Sequence, residues 1–432
     1  MTDSELYRDH LARLDQIVTE ALTRWPGDAV LFHAGEERTY PGDDQPIPFR
    51  PSGHFARWVP LPGPGHFVLA RPGRRPLVAR FAPRDFWFEH AVPEPSYWQE
   101  AVDLVEFESA DRAATLLDGT GRVAYVGGFP DAARRLGFEE ERINPPELVA
   151  VLDWHRAVKT AHEVALAEEA ARRAAAGHEA ARRAFLEGKP ERAIYWAFLE
   201  GSGMLERELP FEPIVALDDR AAILHYQNKR PRATGRVLLL DAGAGCDGFA
   251  SDITRTTTSP DAAPEFVALV GALDRLQRRL VAMVSPGRPY PEIHAAAVEG
   301  VAAILVEAGV LRRPDPSVAR RFFPHGVGHH LGFQVHDVGG HQAGPAGGTV
   351  APPDEDPFLR NTRRLEEGHL VTIEPGIYFI RDLLEPLRSG PEADLVDWTL
   401  VDRLAGHGGI RIEDDVLCTA EGPRDLTRPL LD

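Results

Sequence analysis

The stretch Val237-Leu238-Leu239-Leu240-Asp241-Ala242-Gly243-Ala244-Gly245-Cys246-Asp247-Gly248-Phe249-Ala250-Ser251-Asp252-Ile253-Thr254-Arg255 decides how the rest is read. Its apolar opening predicts a buried strand that ends on an acid, Asp241. Asp252 follows after a glycine-rich turn, so two strands joined there would set the two carboxylates on adjacent positions of a hairpin. A single Asp at a strand end is most often a cap or turn former. Two of them across one hairpin are like charges that need a cation between them. Gly243 to Gly248 also match G-x-G-x-x-G, but a phosphate site would require a helix to open at that point. Thr254-Arg255-Thr256-Thr257-Thr258 is poor helix material, so the match is read as incidental.

Moving outward, 432 residues suggest two or three domains. With 48 basic and 66 acidic residues the net charge is −18, which repels phosphate backbones and anionic lipid. No nucleic-acid or membrane partner is therefore expected. The two cysteines, Cys246 and Cys418, cannot form a disulfide framework and point to a reducing cytoplasm. Met1 to Glu5 open polar and acidic, unlike a signal peptide, and no apolar run approaches the roughly 18 residues of a membrane span.

Apolar spacing predicts a helix over 3–25, then strands at Val30–Phe32, Phe67–Leu69, Leu77–Ala79 and Val123–Val126. The Pro/Gly-dense stretch from Arg38 to Pro64 holds Phe49, Phe55 and Trp58, aromatics expected to pack that loop onto its own domain. After Asn144-Pro145-Pro146 an Ala/Glu/Arg-rich run predicts a long helix over 156–187. Further helices are expected over 190–208, 262–284 and 289–309, strands near 213–217 and 222–226, and a strand-rich block from residue 370. The expected organisation is a small α/β domain, 1–158, followed by a larger α+β domain, 159–432.

Three further groups carry chemistry. His325, His329, His330 and His336 crowd into twelve residues, with Gly326 and Gly328 between them suggesting close backbone approach to something compact. Ordinary structural roles are expected for His330 and His341. Glu374, in Thr372-Ile373-Glu374-Pro375, and Glu413, in Arg411-Ile412-Glu413, stand in apolar strand contexts where a carboxylate is costly unless paired or metal-bound. Arg411 is one candidate partner for Glu413 in a structural ion pair. Together Asp241, Asp252, Glu374, Glu413 and one imidazole make an oxygen-rich set. About four negative charges would be balanced by two divalent cations, leaving room for a bridging hydroxide. Such a set suits Mn²⁺, Fe²⁺ or Co²⁺ and the chemistry of metal-assisted hydrolysis.

The ordered series Asp241, Asp252, His329, Glu374 and Glu413 resembles the dinuclear site of the "pita-bread" metallopeptidases, which include methionine aminopeptidases, aminopeptidase P and prolidases. The words PHGVGHHLGFQVHDVGG (324–340), DPFLRNTRRLEEGHLVTIEPGIYFI (356–380) and GGIRIEDDVL (408–417) are similar to bacterial Xaa-Pro dipeptidases and organophosphorus acid anhydrolases. DDQPIPF (43–49) and RDFWFEH (84–90) extend the likeness into the first half.

The resemblance implies a pita-bread C-terminal domain holding two divalent metal ions, manganese being expected. Asp241 would serve one ion, His329 and Glu374 the other, and Asp252 and Glu413 both. It makes Glu374 the proton shuttle, His225 and His336 contacts to substrate oxygens, and His325 a supporting histidine. Arg360 matches the arginine that receives the dipeptide's terminal carboxylate, and Arg411 one that orients the bridging acids. Asp44 and Trp87 match pocket residues, the Asp coming from a partner subunit, so a homodimer is expected. Phe211 stands where the anhydrolases carry a Tyr, which predicts weak organophosphate turnover. The implied activity is hydrolysis of Xaa-Pro dipeptides. The alternatives are cleavage of longer Xaa-Pro peptides by an aminopeptidase P, and a metal-free pita-bread binding module. Residues 312–322 have no reading.

Overall fold

Thr2 and Glu5 cap one another reciprocally, and helix α1 (Asp3–Arg24) starts from that box. Tyr7, Leu11, Leu14, Ile17, Val18, Ala21 and Leu22 recur at helical spacing and form its buried face. The computed structural model describes residues 2–87 and 97–431, so Phe88 to His90 of the RDFWFEH word lie outside the described residues.

In the first of two units, Met1–Val164 with Ala343–Gly348, that face packs on a five-stranded sheet. The strands are β1 (Ala29–His33), β2 (Phe67–Ala70), β3 (Leu77–Phe81), β4 (Asp103–Phe107) and β5 (Val123–Val126), in the order β4-β3-β2-β1-β5. Val30 and Phe32 face α1 while Ala29 and Leu31 face a second cluster with Phe67, Tyr125 and Phe138. Both sheet faces are covered, which is why these strands read as unbroken apolar runs. Strand β4 escapes the pattern because its Asp-Leu-Val-Glu-Phe sequence is that of a largely exposed edge. Phe55 and Trp58 are buried with α1, so the aromatics of the Pro/Gly-rich loop do hold it to its own unit.

The expected helix over 156–187 is observed as one helix, Ala161–Leu186, and a separate helix precedes it. Helix α2 (Pro146–Arg156) starts on a proline and packs Leu148, Val151 and Leu152 beside α1. A capping box between Thr160 and Glu163 then starts α3 (Ala161–Leu186). Gly177 and Gly201 let α3 and α4 (Glu191–Ser202) meet closely; a Cβ on Gly177 would stand 2.8 Å from the Phe198 ring. Helix α4 stops short of the expected 208 because Gly203 turns left-handed at φ 67°.

The second unit, Ala165–Gln342 with Thr349–Asp432, is built on short antiparallel sheets. Strands β6 (Ile214–Leu217), β7 (Val237–Asp241) and β8 (Thr254–Thr258) pair in the order β8-β7-β6. Leu238 and Leu240 of β7 face Phe185, Ile194 and Phe198 of α3 and α4, and Leu239 faces Tyr226 and Tyr378. Helices α5 (Pro264–Val281), α6 (Tyr290–Glu307) and α7 (Pro316–Phe322) share one core with the C-terminal strands. Those are β9 (Leu370–Ile373), β10 (Gly376–Tyr378), β11 (Gly409–Arg411), β12 (Asp414–Thr419) and β13 (Gly422–Asp425). β9-β12-β13 form one sheet and β10-β11 a pair.

Two expectations need correction here. Residues 222–226 are not a strand. Asp218 adopts φ 53° and its carboxylate accepts the Arg236 and Val237 N–H groups at 2.8 and 3.0 Å, which commits Asp218–Ala222 to a tight helical turn. The C-terminal block is also less purely stranded than expected, because α8 (Arg381–Arg388) and α9 (Trp398–Ala405) interrupt it.

Candidate metal centre

Asp241 closes β7 directly opposite Thr254, the first residue of β8. Between them Gly245–Cys246 pairs with Phe249–Ala250 through a tight turn at Asp247 (φ 48°) and Gly248 (φ 85°). Two consecutive left-handed residues are what a two-residue hairpin turn demands. The G-x-G-x-x-G stretch is therefore a hairpin, and no helix opens there. Gly243 is required for a different reason: a Cβ on it would stand 1.9 Å from the Ser251 carbonyl oxygen. The hairpin returns the chain at Asp252, buried and two residues ahead of Thr254.

The C-terminal strands close the site from another side. The Glu413 N–H donates to the Thr254 carbonyl at 3.0 Å, and the Thr254 hydroxyl donates to Glu413 Oε2 at 2.7 Å. Arg411, two residues before Glu413, does not pair with it. Its guanidinium donates to Asp241 Oδ2 at 2.5 Å, to the Tyr378 hydroxyl at 2.8 Å and to Thr254 Oγ1 at 3.2 Å. Residues two apart on a strand share a face but stand nearly 7 Å apart along it, so the arginine finds its acid on a neighbouring strand instead.

The histidine-rich loop is stitched to β9. His329 N–H donates to Thr372 Oγ1 at 3.1 Å, Thr372 N–H to the His329 carbonyl at 2.9 Å, and Glu374 N–H to the Val327 carbonyl at 2.8 Å. Gly328 permits this approach, since a Cβ there would stand 2.1 Å from the Thr372 carbonyl oxygen. The compact object that Gly328 admits is thus the protein's own strand. His329 Nδ1 donates to the His330 carbonyl at 2.9 Å. That fixes the tautomer and leaves the Nε2 lone pair 3.4 Å from Asp252 Oδ2 and 3.8 Å from Glu374 Oε1.

One cavity of about 360 Å³ gathers these groups. Asp241, Asp252, His329, Glu374 and Glu413 all line it, together with His225, His325, His336, Arg360 and Arg411. Leu224, Phe358, Ile380 and Leu383 supply apolar wall. Potential ligand atoms of Asp252, His329 and Glu413 lie within 4.8 Å of one another. The His336 ring stands edge-on to His329 with centroids 4.5 Å apart.

The electrostatics of this cluster are those of a site short of positive charge. Burial and the adjacent Asp241 carboxylate push Asp252 well above the ordinary carboxylate range. Glu413 is raised by burial and by Asp252 and Glu374. Burial lifts Glu374 to about 7 against the pull of His329 and Arg411. Burial lowers His329, so its Nε2 is kept as a lone pair. Asp241 Oδ1 is buried without a hydrogen-bond partner. Four inward carboxylates, an orphaned carboxylate oxygen and an imidazole presenting a lone pair fit a divalent-cation site.

The remaining expected residues lie elsewhere. Phe211 packs against Gly243 behind β7, and the cavity lining does not include it. Asp44 and Trp87 are exposed in the first unit, Trp87 beside Phe86 with rings 4.6 Å apart. His330 stands edge-on to His369, and His341 Nδ1 is 3.3 Å from Thr362 Oγ1, as structural histidines do.

Two contributors escaped the sequence reading, Thr254 and Tyr378. Thr254 links Glu413 to Arg411, and the Tyr378 hydroxyl links Arg411 to His325 Nε2 at 2.8 Å. The available signal was spacing, Thr254 standing two residues after Asp252.

Residues 165–420 match metallopeptidase family M24, and residues 5–154 match the N-terminal domain of Xaa-Pro dipeptidases. The chain belongs to family M24. Among relatives of this M24 chain, a Marinobacter nauticus protein named Xaa-Pro dipeptidase is 41% identical over 433 residues, covering 98% of each sequence. A Stenotrophomonas maltophilia protein of the same name is 39% identical and covers 98% of this chain and 97% of its own length. Among solved structures, Pseudomonas aeruginosa aminopeptidase PepP superposes with TM-score 0.72 at 25% identity, covering 100% of this chain and 96% of that one. Aminopeptidase P from E. coli superposes with TM-score 0.74 at 22% identity, over 98% of this chain and 95% of that one. The fold is an N-terminal dipeptidase-type domain followed by the M24 pita-bread domain.

Proposed function

We propose that this M24 chain is an Xaa-Pro dipeptidase, a hydrolase that splits the bond before a C-terminal proline with two divalent cations, manganese in the cell. One observation carries the reading: four carboxylates and an imidazole share their cavity with Arg360, an exposed cation that pairs with no described residue. The names of relatives alike over 97–99% of both lengths support the same substrate.

Asp241, Asp252, His329, Glu374 and Glu413 would hold the cations. When bound, these would supply Lewis acidity and a nucleophilic water at neutral pH. Glu374 takes the proton of the attacking water and returns it to the departing proline nitrogen. His225 and His336 offer donors to the substrate's oxygens as charge develops. His325 Nδ1 donates to the Gly326 carbonyl at 2.8 Å, so Nε2 accepts from Tyr378, whose oxygen accepts from Arg411, and Arg411 in turn holds Asp241. Arg360 receives the terminal carboxylate through a two-pronged charge-assisted pair, which selects dipeptides over longer chains. The prolyl bond is a tertiary amide without an N–H, so recognition must come from the two ends of the dipeptide.

The oxygen-rich ligand set favours manganese. Asp44 and Trp87, both exposed, would complete the cavity of a partner subunit, making the first unit the dimerisation element. Two free, buried cysteines fit a cytoplasmic protein. Among the described residues no helix is long and apolar enough to cross a membrane.

The deciding experiment is hydrolysis of Ala-Pro and Ala-Pro-Ala by manganese-loaded protein, with an EDTA control. Chelator-sensitive cleavage of Ala-Pro alone is expected. Cleavage of the tripeptide would move the chain to aminopeptidase P specificity, and no cleavage of either would leave a binding module.

A further inference from the structure

Residues 312–322, silent in the sequence, hold helix α7, which ends two residues before the cavity-lining Pro324. Asp315 caps α7, its carboxylate accepting the Ser317 and Val318 N–H groups at 3.1 and 3.2 Å. Val318, Ala319 and Phe322 bury the helix in the main core. From this anchored helix Arg320 forks onto Asp356, Nε to Oδ1 at 2.7 Å and Nη2 to Oδ2 at 2.9 Å. His294 of α6 brings Nε2 to 3.0 Å from the same Oδ1. The Asp356 side chain is 9% exposed and that of His294 3%, so the pair is largely shielded from water.

Asp356 opens the segment that carries Arg360. Its carbonyl accepts the Leu359 N–H at 3.0 Å, and Leu359 is buried. Gly326, beside His325 in the cavity wall, packs on this turn; a Cβ there would stand 2.9 Å from Leu359 Cα. Beyond Arg360, the Thr362 N–H donates to the Gly340 carbonyl at 2.8 Å, and a Cβ on Gly340 would stand 2.3 Å from the Arg360 carbonyl oxygen. The Arg360 backbone is therefore gripped on both sides while its side chain stays exposed. Among the described residues, the charged contact on the Asp356 side of that grip is the Arg320–Asp356–His294 cluster.

We propose that Arg320, Asp356 and His294 are positioning residues that set the Arg360 guanidinium for the substrate's terminal carboxylate. The proposal rests on the reading of Arg360 given above. A two-pronged guanidinium–carboxylate contact is direction-dependent, and a displacement of about 1 Å at its backbone is enough to lose most of its value. A bidentate pair anchored on a buried helix restrains that backbone more firmly than a single backbone hydrogen bond would.

The test compares Ala-Pro with its amide, Ala-Pro-NH₂, which lacks the terminal charge. Arg320→Ala and Asp356→Asn should each raise KM for Ala-Pro about tenfold, with kcat within about twofold and amide kinetics unchanged. Arg320→Lys should fall between, since it keeps the charge but not the fork. Added to Arg360→Ala, Arg320→Ala should change nothing further. Parallel loss on both substrates would mean a general structural role and overturn the proposal. So would retention of the acid-over-amide preference in Arg320→Ala and Asp356→Asn when Arg360→Ala has lost it. If Arg360→Ala itself keeps that preference, the reading of Arg360 falls and the proposal with it.

Discussion

Glu163 in the first unit is buried, and its carboxylate meets the fork of Arg57 at 3.0 and 3.1 Å and the Thr160 N–H at 2.9 Å. In the second unit Asp241, Asp252, Glu374 and Glu413 line one cavity whose only hydrogen-bonded cation among the described residues is Arg411. Burial raises the carboxyl in both places. At Glu163 Arg57 and its neighbours reverse that and bring it down to about 2. In the cavity the neighbouring acids reinforce it, and Asp252 and Glu413 are held well above their ordinary range. An acid balanced by the protein's own cation is a structural element. A cluster of acids with too few cations is a place kept for one from outside.

The comparison breaks most visibly at Asp252. Asp252→Asn should lower turnover by about a thousandfold or more, since a ligand expected to serve both cations is lost. It should also abolish the rise in melting temperature that manganese gives the wild type. In EDTA, however, the variant should melt at or above the wild type, because the substitution removes like-charge repulsion. The pH dependence gives a second check. Glu374 is raised from 4.5 to about 7, so the chelated wild type should lose stability as pH rises through that window. A chelated Asp252→Asn protein less stable than wild type would mean the cluster is not repulsive.

Glu163→Gln should behave in the opposite sense. Removing one member of a buried pair leaves Arg57 uncompensated and should cost about 3 kcal/mol of unfolding free energy, read by denaturant titration. That loss should be the same with manganese or EDTA, and kcat/KM of the folded variant should not move. The folded pKa is depressed from 4.5 to about 2, so the contribution is full above pH 4.5 and fades as pH falls toward 2. Wild type and variant should converge in acid. A manganese-dependent difference between them would erase the distinction between the two clusters.

How far sequence alone reached follows the same physics. Apolar strands covered on both faces, such as Ala29–His33 and Val237–Asp241, announce themselves by composition. Strand β4, exposed at an edge, does not, and Ile223–Tyr226 only imitates a strand because Asp218 has already bent the chain. Acids at Asp241, Asp252, Glu374 and Glu413 are conspicuous because carboxylates are rarely set among β-branched residues. Thr254 and Tyr378 are not conspicuous, being ordinary strand residues whose hydroxyls matter only through partners far away in sequence. The true partner of Arg411 was equally hidden: sequence spacing shows which face a strand residue shares, and only strand pairing shows what lies across from it.

Arg411→Met tests the cavity cation that is hydrogen-bonded to one of the acids. Asp241 would lose its only side-chain donor among the described residues, and Tyr378 and Thr254 would lose theirs from Arg411. Manganese affinity should fall about 10- to 100-fold, measured by competition with a chelating dye. The variant should keep activity at saturating manganese, which separates an orienting residue from a ligand.

The smallest effect should come from Thr254, fully buried between the two strands that bring Asp252 and Glu413 together. Its hydroxyl donates to Glu413 Oε2 at 2.7 Å and accepts from Arg411 Nε at 3.2 Å. Since Thr254 gives its one proton to Glu413, that oxygen is held in a fixed direction and keeps its remaining lone pairs for the cavity. Thr254→Val preserves shape and strand preference and removes only the hydroxyl. It should cost about 1–2 kcal/mol of stability and a several-fold loss of manganese affinity, because one buried acceptor and one buried donor lose their partner together. Thr254→Ser should restore most of the affinity, as it returns the hydroxyl while giving up a methyl group. If valine binds manganese as well as threonine does, Glu413 is oriented by its backbone bridge to residue 254 alone, and the hydroxyl belongs with the internally balanced contacts of the fold.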